Sequence, residues 1–71
     1  MAICVEVEDQ EIGIVIELKY AENAAFDSAC RAALEQIHDN HYEEALADDG
    51  MTTIYRYGIA CYKKRCRVVS G

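Results

Sequence analysis

Residues 13–21 read Gly13-Ile14-Val15-Ile16-Glu17-Leu18-Lys19-Tyr20-Ala21. They form an apolar run with an acid and a base set two positions apart. Side chains of a strand alternate between its two faces, so Glu17 and Lys19 lie on one side with Gly13 and Val15. Ile12, Ile14, Ile16, Leu18 and Tyr20 lie on the other. The second set is the more apolar. Its composition predicts that it packs on the core while Glu17 and Lys19 face water.

Upstream, Ile3, Val5 and Val7 alternate with Cys4 and Glu6, the period of a half-buried strand over residues 3–7. With Asp9 and Gln10 as the loop, Val7 falls opposite Ile12, Val5 opposite Ile14, Ile3 opposite Ile16 and Ala2 opposite Glu17. The apolar faces then coincide, and a one-residue slip would turn them to water. Downstream, Asn23 is the expected N-cap of a helix with Asp27 in its positive first turn. Phe26, Ala29, Cys30, Ala33, Leu34 and Ile37 recur at helical spacing and form one stripe to cover the hairpin. Asp39-Asn40-His41 interrupts the pattern. A short second helix carries Tyr42, Ala45 and Leu46 and stops near Asp48-Asp49-Gly50. Residues 53–62 read as a strand, Lys63-Lys64-Arg65 as a turn and 66–69 as a short last strand. The order ββααββ is α+β, with the helices on one face of a mixed sheet.

The chain has 71 residues and a net charge of −6. That length predicts one small domain, burying only about 60% of the unfolded surface; a partner copy or a parent domain would add to the burial. No run approaches the roughly 20 apolar residues of a membrane span, and the first residues lack the pattern of a signal peptide. The expectation is a soluble, cytoplasmic protein without membrane contact. The four cysteines form no Cys-x-x-Cys pair; Cys4, Cys30 and Cys61 sit among apolar residues and read as small hydrophobes, with a zinc site using His38 or His41 as the alternative. The acidic balance disfavours sequence-independent nucleic-acid binding. Lys63, Lys64, Arg65 and Arg67 are a local exception: a polar turn, or a contact for a phosphate backbone.

Glu-x-Lys is a common spacing, and by itself it describes an acid and a base attracting one another on a wet strand face. As a chemical pair, Glu17 would be an oxygen ligand for Mg²⁺. Lys19 would position or activate the attacking water and stabilise charge on a phosphate.

Glu17-Leu18-Lys19, preceded by Ile14-Val15-Ile16, resembles the (D/E)xK strand of the PD-(D/E)XK nucleases. Gln36 near the end of the helix, with Tyr42 six residues on, is similar to the Gln…Tyr signature of the RecB-like branch. The segment from Phe26 to Tyr57, with Ala32-Ala33-Leu34-Glu35-Gln36-Ile37, Tyr42-Glu43-Glu44-Ala45-Leu46 and then Tyr57-Gly58-Ile59-Ala60, looks like the nuclease-like domain at the C-terminus of bacterial AAA-ATPase-like proteins. The resemblance implies a truncated restriction-endonuclease-like core. It implies Glu17 and Lys19 as catalytic residues, Glu17 also as metal ligand, Gln36 and Tyr42 as accessory residues, and Mg²⁺ or Mn²⁺ as cofactor. Two departures follow. The family places an acid on the strand before the (D/E)xK strand, and the register puts Ala2 there. The helix that precedes the hairpin in the family is missing. The chain then reads as a fragment of a larger nuclease-like protein that acts on nucleic acid when intact, itself inactive for want of the first metal-binding acid. The alternative is a non-catalytic interaction or dimerisation module attached to an ATPase-like parent. An exposed terminal strand edge favours a homodimer.

Overall fold

The alternation on either side of Asp9-Gln10 folds into a hairpin with the expected register. A computed structural model describes residues 1–23 and 25–71. Strand β1 (Ala2–Val7) runs antiparallel to β2 (Ile12–Tyr20), with Ala2 opposite Glu17 and Val7 opposite Ile12. The turn between them is one 3-10 turn over Glu8–Gln10, closed by Glu11 in the left-handed region at φ 54°. The amide of Glu11 donates to the Glu8 carbonyl at 3.1 Å.

Helix α1 (Phe26–Asp39) and helix α2 (Tyr42–Asp48) follow. Asn23 is not the N-cap. That position belongs to Ala25, and Asn23 sits at φ 53°, a left-handed turn that asparagine tolerates better than most residues. His41 at φ 57° turns the chain between the helices. Strand β3 (Thr53–Tyr62) lies parallel to β2, and β4 (Arg65–Ser70) returns antiparallel to β3. The sheet is mixed, in the order β1-β2-β3-β4. Because β2 and β3 are parallel, a crossover must join them, and α1 and α2 are that crossover. The fold is α+β in the order strands, helices, strands.

The helices cover the face opposite to the one that hydropathy favours. Val15 and Glu17 are buried, whereas Ile14, Ile16 and Leu18 are only half-buried and Tyr20 is 86% exposed. The reason is steric. The covered face presents Gly13, Gly58 and Ala60, and α1 presents Cys30 and Ala33 to it. A Cβ on Gly58 would come within 2.6 Å of the Cys30 carbonyl oxygen, so the helix backbone lies directly on the strand there. At Gly13 a Cβ would meet Leu46 of α2 at 3.1 Å. Small residues on both partners allow a close approach that the row of isoleucines and tyrosines does not, and close packing is where dispersion energy accumulates. The expected stripe of α1 is the one used: Cys30, Ala33 and Ile37 are buried. It packs against the Glu17 side.

Two apolar clusters result. Val15, Ile37, Leu46 and Met51 form one, with Leu34, Tyr42 and Ile54 packed against it; Ala21, Cys30 and Ala60 form the other, with Phe26, Tyr62 and Val69 around them.

Candidate active site

Strand β2 carries Glu17 between those two clusters, after Val15 of the first and before Ala21 of the second. Its neighbours across the sheet are Ala2 on β1 and Gly58 on β3. Neither offers a polar side chain. Glu17 is 2% exposed, and its Oε2 has no hydrogen-bond partner. Buried polar atoms are nearly always bonded, and an orphan carboxylate oxygen costs stability unless something outside the chain engages it. The nearest cation is the Met1 ammonium, 3.9 Å from Oε2. Met1 is held there by two backbone bonds: its carbonyl accepts from the Leu18 amide at 2.7 Å, and its ammonium donates to the Leu18 carbonyl at 3.1 Å.

Lys19 follows on the same face, half-buried beside Ala60. The pair therefore lies under the helical layer and not on the wet face assigned to it from hydropathy. The acid is deeply enclosed, while the lysine reaches the margin. Beyond Lys19 the sheet end is basic. Lys63 and Lys64 form the β3–β4 turn and Arg65 opens β4, all three exposed. The Lys63 ammonium sits over the Tyr62 ring at 5.3 Å. Arg67 is already engaged, with the Asp27 carboxylate and the Phe26 ring.

The accessory residues are more distant in their surroundings. Gln36 is half-buried on α1 and does not bond the orphan oxygen of Glu17. Tyr42 opens α2, packs against the Val15 cluster and lines a cleft of about 240 Å³ with Cys4, Glu6 and Asp49. That cleft lies at the other end of the hairpin, where Glu6 pairs with Gly13. There a hydrogen bond with Asp49 and burial hold the Glu6 carboxyl above its usual range. Burial, and then the charge of Glu6, push the Cys4 thiol up. On α2, Glu43 bonds Arg56 at 2.8 Å, and the guanidinium holds that carboxyl below its usual range.

The donors supply half of a divalent-cation site. Glu17 offers a buried oxygen without a hydrogen-bond partner, the kind of ligand a hard cation takes. A second carboxylate is not within its reach: Ala2 occupies the facing position, and Glu6 stands toward the other end of the hairpin, opposite Gly13. Among the described residues no three His, Cys, Asp or Glu side chains converge on one point, which also removes the zinc alternative from them. Cys61 and Cys66, well separated from Cys4 and Cys30 in the sequence, stand directly opposite each other on β3 and β4. The five-residue spacing across a two-residue turn was the signal for that pairing.

No curated protein and no solved structure matches the chain. A family model described as the PD-(D/E)XK nuclease superfamily matches residues 1–71. The match spans the Glu17–Lys19 strand, its hairpin partner and the crossover that buries it, and the chain belongs to the PD-(D/E)XK nuclease superfamily.

Proposed function

We propose that this chain is a nuclease-like domain whose site for metal-dependent phosphodiester hydrolysis is incomplete, and that it is silent as it stands. The observation that carries this reading is the buried Glu17 carboxylate, with an unbonded oxygen and an alanine in the facing position. A divalent ion would supply Lewis acidity there when bound. Glu17 would hold it, Lys19 would orient the attacking water and take up charge on the phosphate, and Lys63, Lys64 and Arg65 would grip the backbone at the basic end. Gln36 and Tyr42 would act from the helical layer.

Cross-strand neighbours lie roughly 5 Å apart, so Ala2→Asp would bring a second carboxylate within reach of one ion. The test is a nicking assay with Mn²⁺ on single-stranded DNA, duplex DNA and RNA. It compares the chain with Ala2→Asp and with Ala2→Asp/Lys19→Ala, each checked for folding by circular dichroism. The expected result is activity in Ala2→Asp alone. Activity already present in the unaltered chain, or none in a folded Ala2→Asp, would overturn the reading.

A second reading has its own observation. The sheet face away from the helices carries no charged side chain and leaves Ile3, Val5, Tyr55 and Val68 exposed. A non-catalytic module that packs this face against an ATPase-like parent domain would use it, with Glu17 and Lys19 as relics.

A further inference from the structure

The pleat assigns sixteen positions to the open face: three on β1, five each on β2 and β3, and three on β4. None holds any of the chain's thirteen acids or seven bases. Every charge lies in a turn, on a helix or on the helix-covered face. Thr53 and Ser70 are the polar exceptions, near the ends of their strands. Among the described residues, six of the seven large apolar side chains that stay exposed are on this face: Ile3, Val5, Val7, Tyr20, Tyr55 and Val68. At about 33 Å² for each residue on one side of a sheet, the face spans on the order of 500 Å² in plan. Its corrugated accessible area is larger, and a contiguous apolar patch of that size marks an interaction site.

We propose that the occupant is a second copy of this chain, packed open face to open face. Three observations favour it. Four strands are about 15–19 Å wide, whereas one helix is about 10 Å across, so one helix would leave half of the face wet. A second four-stranded sheet matches the width and stacks about 10 Å away. The chemistry is self-complementary, since neither copy has a charge to desolvate. The arrangement also suits a chain of net charge −6: the helices, which carry six of the thirteen acids, point away from each other. The plan area, on the order of 500 Å² before corrugation is counted, compares with roughly 800 Å² per partner in a standard interface. This interface differs from pairing through a strand edge, and it does not depend on the catalytic reading.

Two thiols tell the arrangements apart. Cys66 is exposed on the open face, and Cys4 is exposed on the edge strand β1 with its side chain toward the helical side. The experiment combines sedimentation across micromolar concentrations with alkylation of each thiol read by mass spectrometry. The variants are Tyr55→Lys and Val68→Glu, both at positions exposed in the single chain. The expected result is a dimer in which Cys66, and not Cys4, becomes slower to alkylate as concentration rises. Each variant keeps its circular dichroism and weakens the dimer on the order of 100-fold, because an unpaired charge then enters the interface. A monomer at every concentration, or a dimer that protects Cys4 instead, or variants that dimerise unchanged, would each overturn the proposal. A monomer whose face binds an apolar fluorescent dye, with binding lost in Tyr55→Lys, would sink the dimer and leave the parent-domain reading standing.

Discussion

The two faces of the sheet are made from the same strands yet are built on opposite plans. The covered face is small-residued and holds the charged residues of the strands, with Gly13, Gly58 and Ala60 beside Glu17, Lys19 and Arg56. The open face is bulky and uncharged. The helices chose the first. A helix is drawn to the surface it can approach most closely, not to the surface with the highest hydropathy. The consequence for function is direct: an acid that alternation places in water is instead sealed under α1, and a row of isoleucines and tyrosines is left outside.

The hardest test of that contrast is Gly58→Ala. Glycine within a strand ordinarily costs about 0.5–1 kcal/mol relative to alanine, so on an unobstructed face the substitution would stabilise. Here the new methyl would press on the Cys30 carbonyl at 2.6 Å, and backbone cannot step aside as a side chain can. The expected outcome is a loss of about 3 kcal/mol in urea unfolding, the upper end for overpacking. Neutral or improved stability would mean that the helix does not lie so close. Next in size is Glu17→Met, a swap of similar volume. Removing a buried, unbonded carboxylate should raise stability by about 1–2 kcal/mol, while abolishing any activity gained through Ala2→Asp. Destabilisation would show that Glu17 is a structural member of the core and would remove the main support for the site.

Much of this was legible in advance, and the failures share one cause. The hairpin register, the stripe of α1, the place of α2 and the extent of β3 follow from periods of two and 3.6, which are local properties. So does the pairing of Ala2 with Glu17, on which the functional reading turns. Which side of the strand the stripe meets is not local. It depends on Gly58, forty-one residues along the chain from Glu17, sharing its face with Gly13 and allowing contact with Cys30. The parity of the small residues (Gly13 on β2, Gly58 and Ala60 on β3) carried that information, but only once the parallel register was known. Asn23 illustrates the same limit: its side chain suits a cap or a left-handed turn equally, and the entry to α1 decided for the turn.

If charge is confined to the helical side, then the dependence of stability on pH through the acidic range belongs to that side alone, and two carboxylates there should act with opposite signs. Glu43 is held below its usual value of 4.5 by the Arg56 hydrogen bond and charge. The unfolded chain therefore binds its proton more readily, and the stabilisation is present above that value and lost as pH falls through the lowered one. Glu6 is held above 4.5 by its bond to Asp49, by burial and by the charge of Asp49. There the folded state binds the proton more readily, so the stabilisation is present below the usual value and lost as pH rises through the raised one. Both groups are near the surface, and the effects are the smallest of the set. Urea midpoints at stepped pH should lose part of their acid-side decline in Glu43→Gln and part of their decline above 4.5 in Glu6→Gln. Tyr55→Phe on the open face should follow the unaltered chain at every pH. A pH slope that moved with Tyr55 and not with Glu6 or Glu43 would mean that the two faces are not electrostatically separate, and the charge-free face would lose its strongest claim to be an interface.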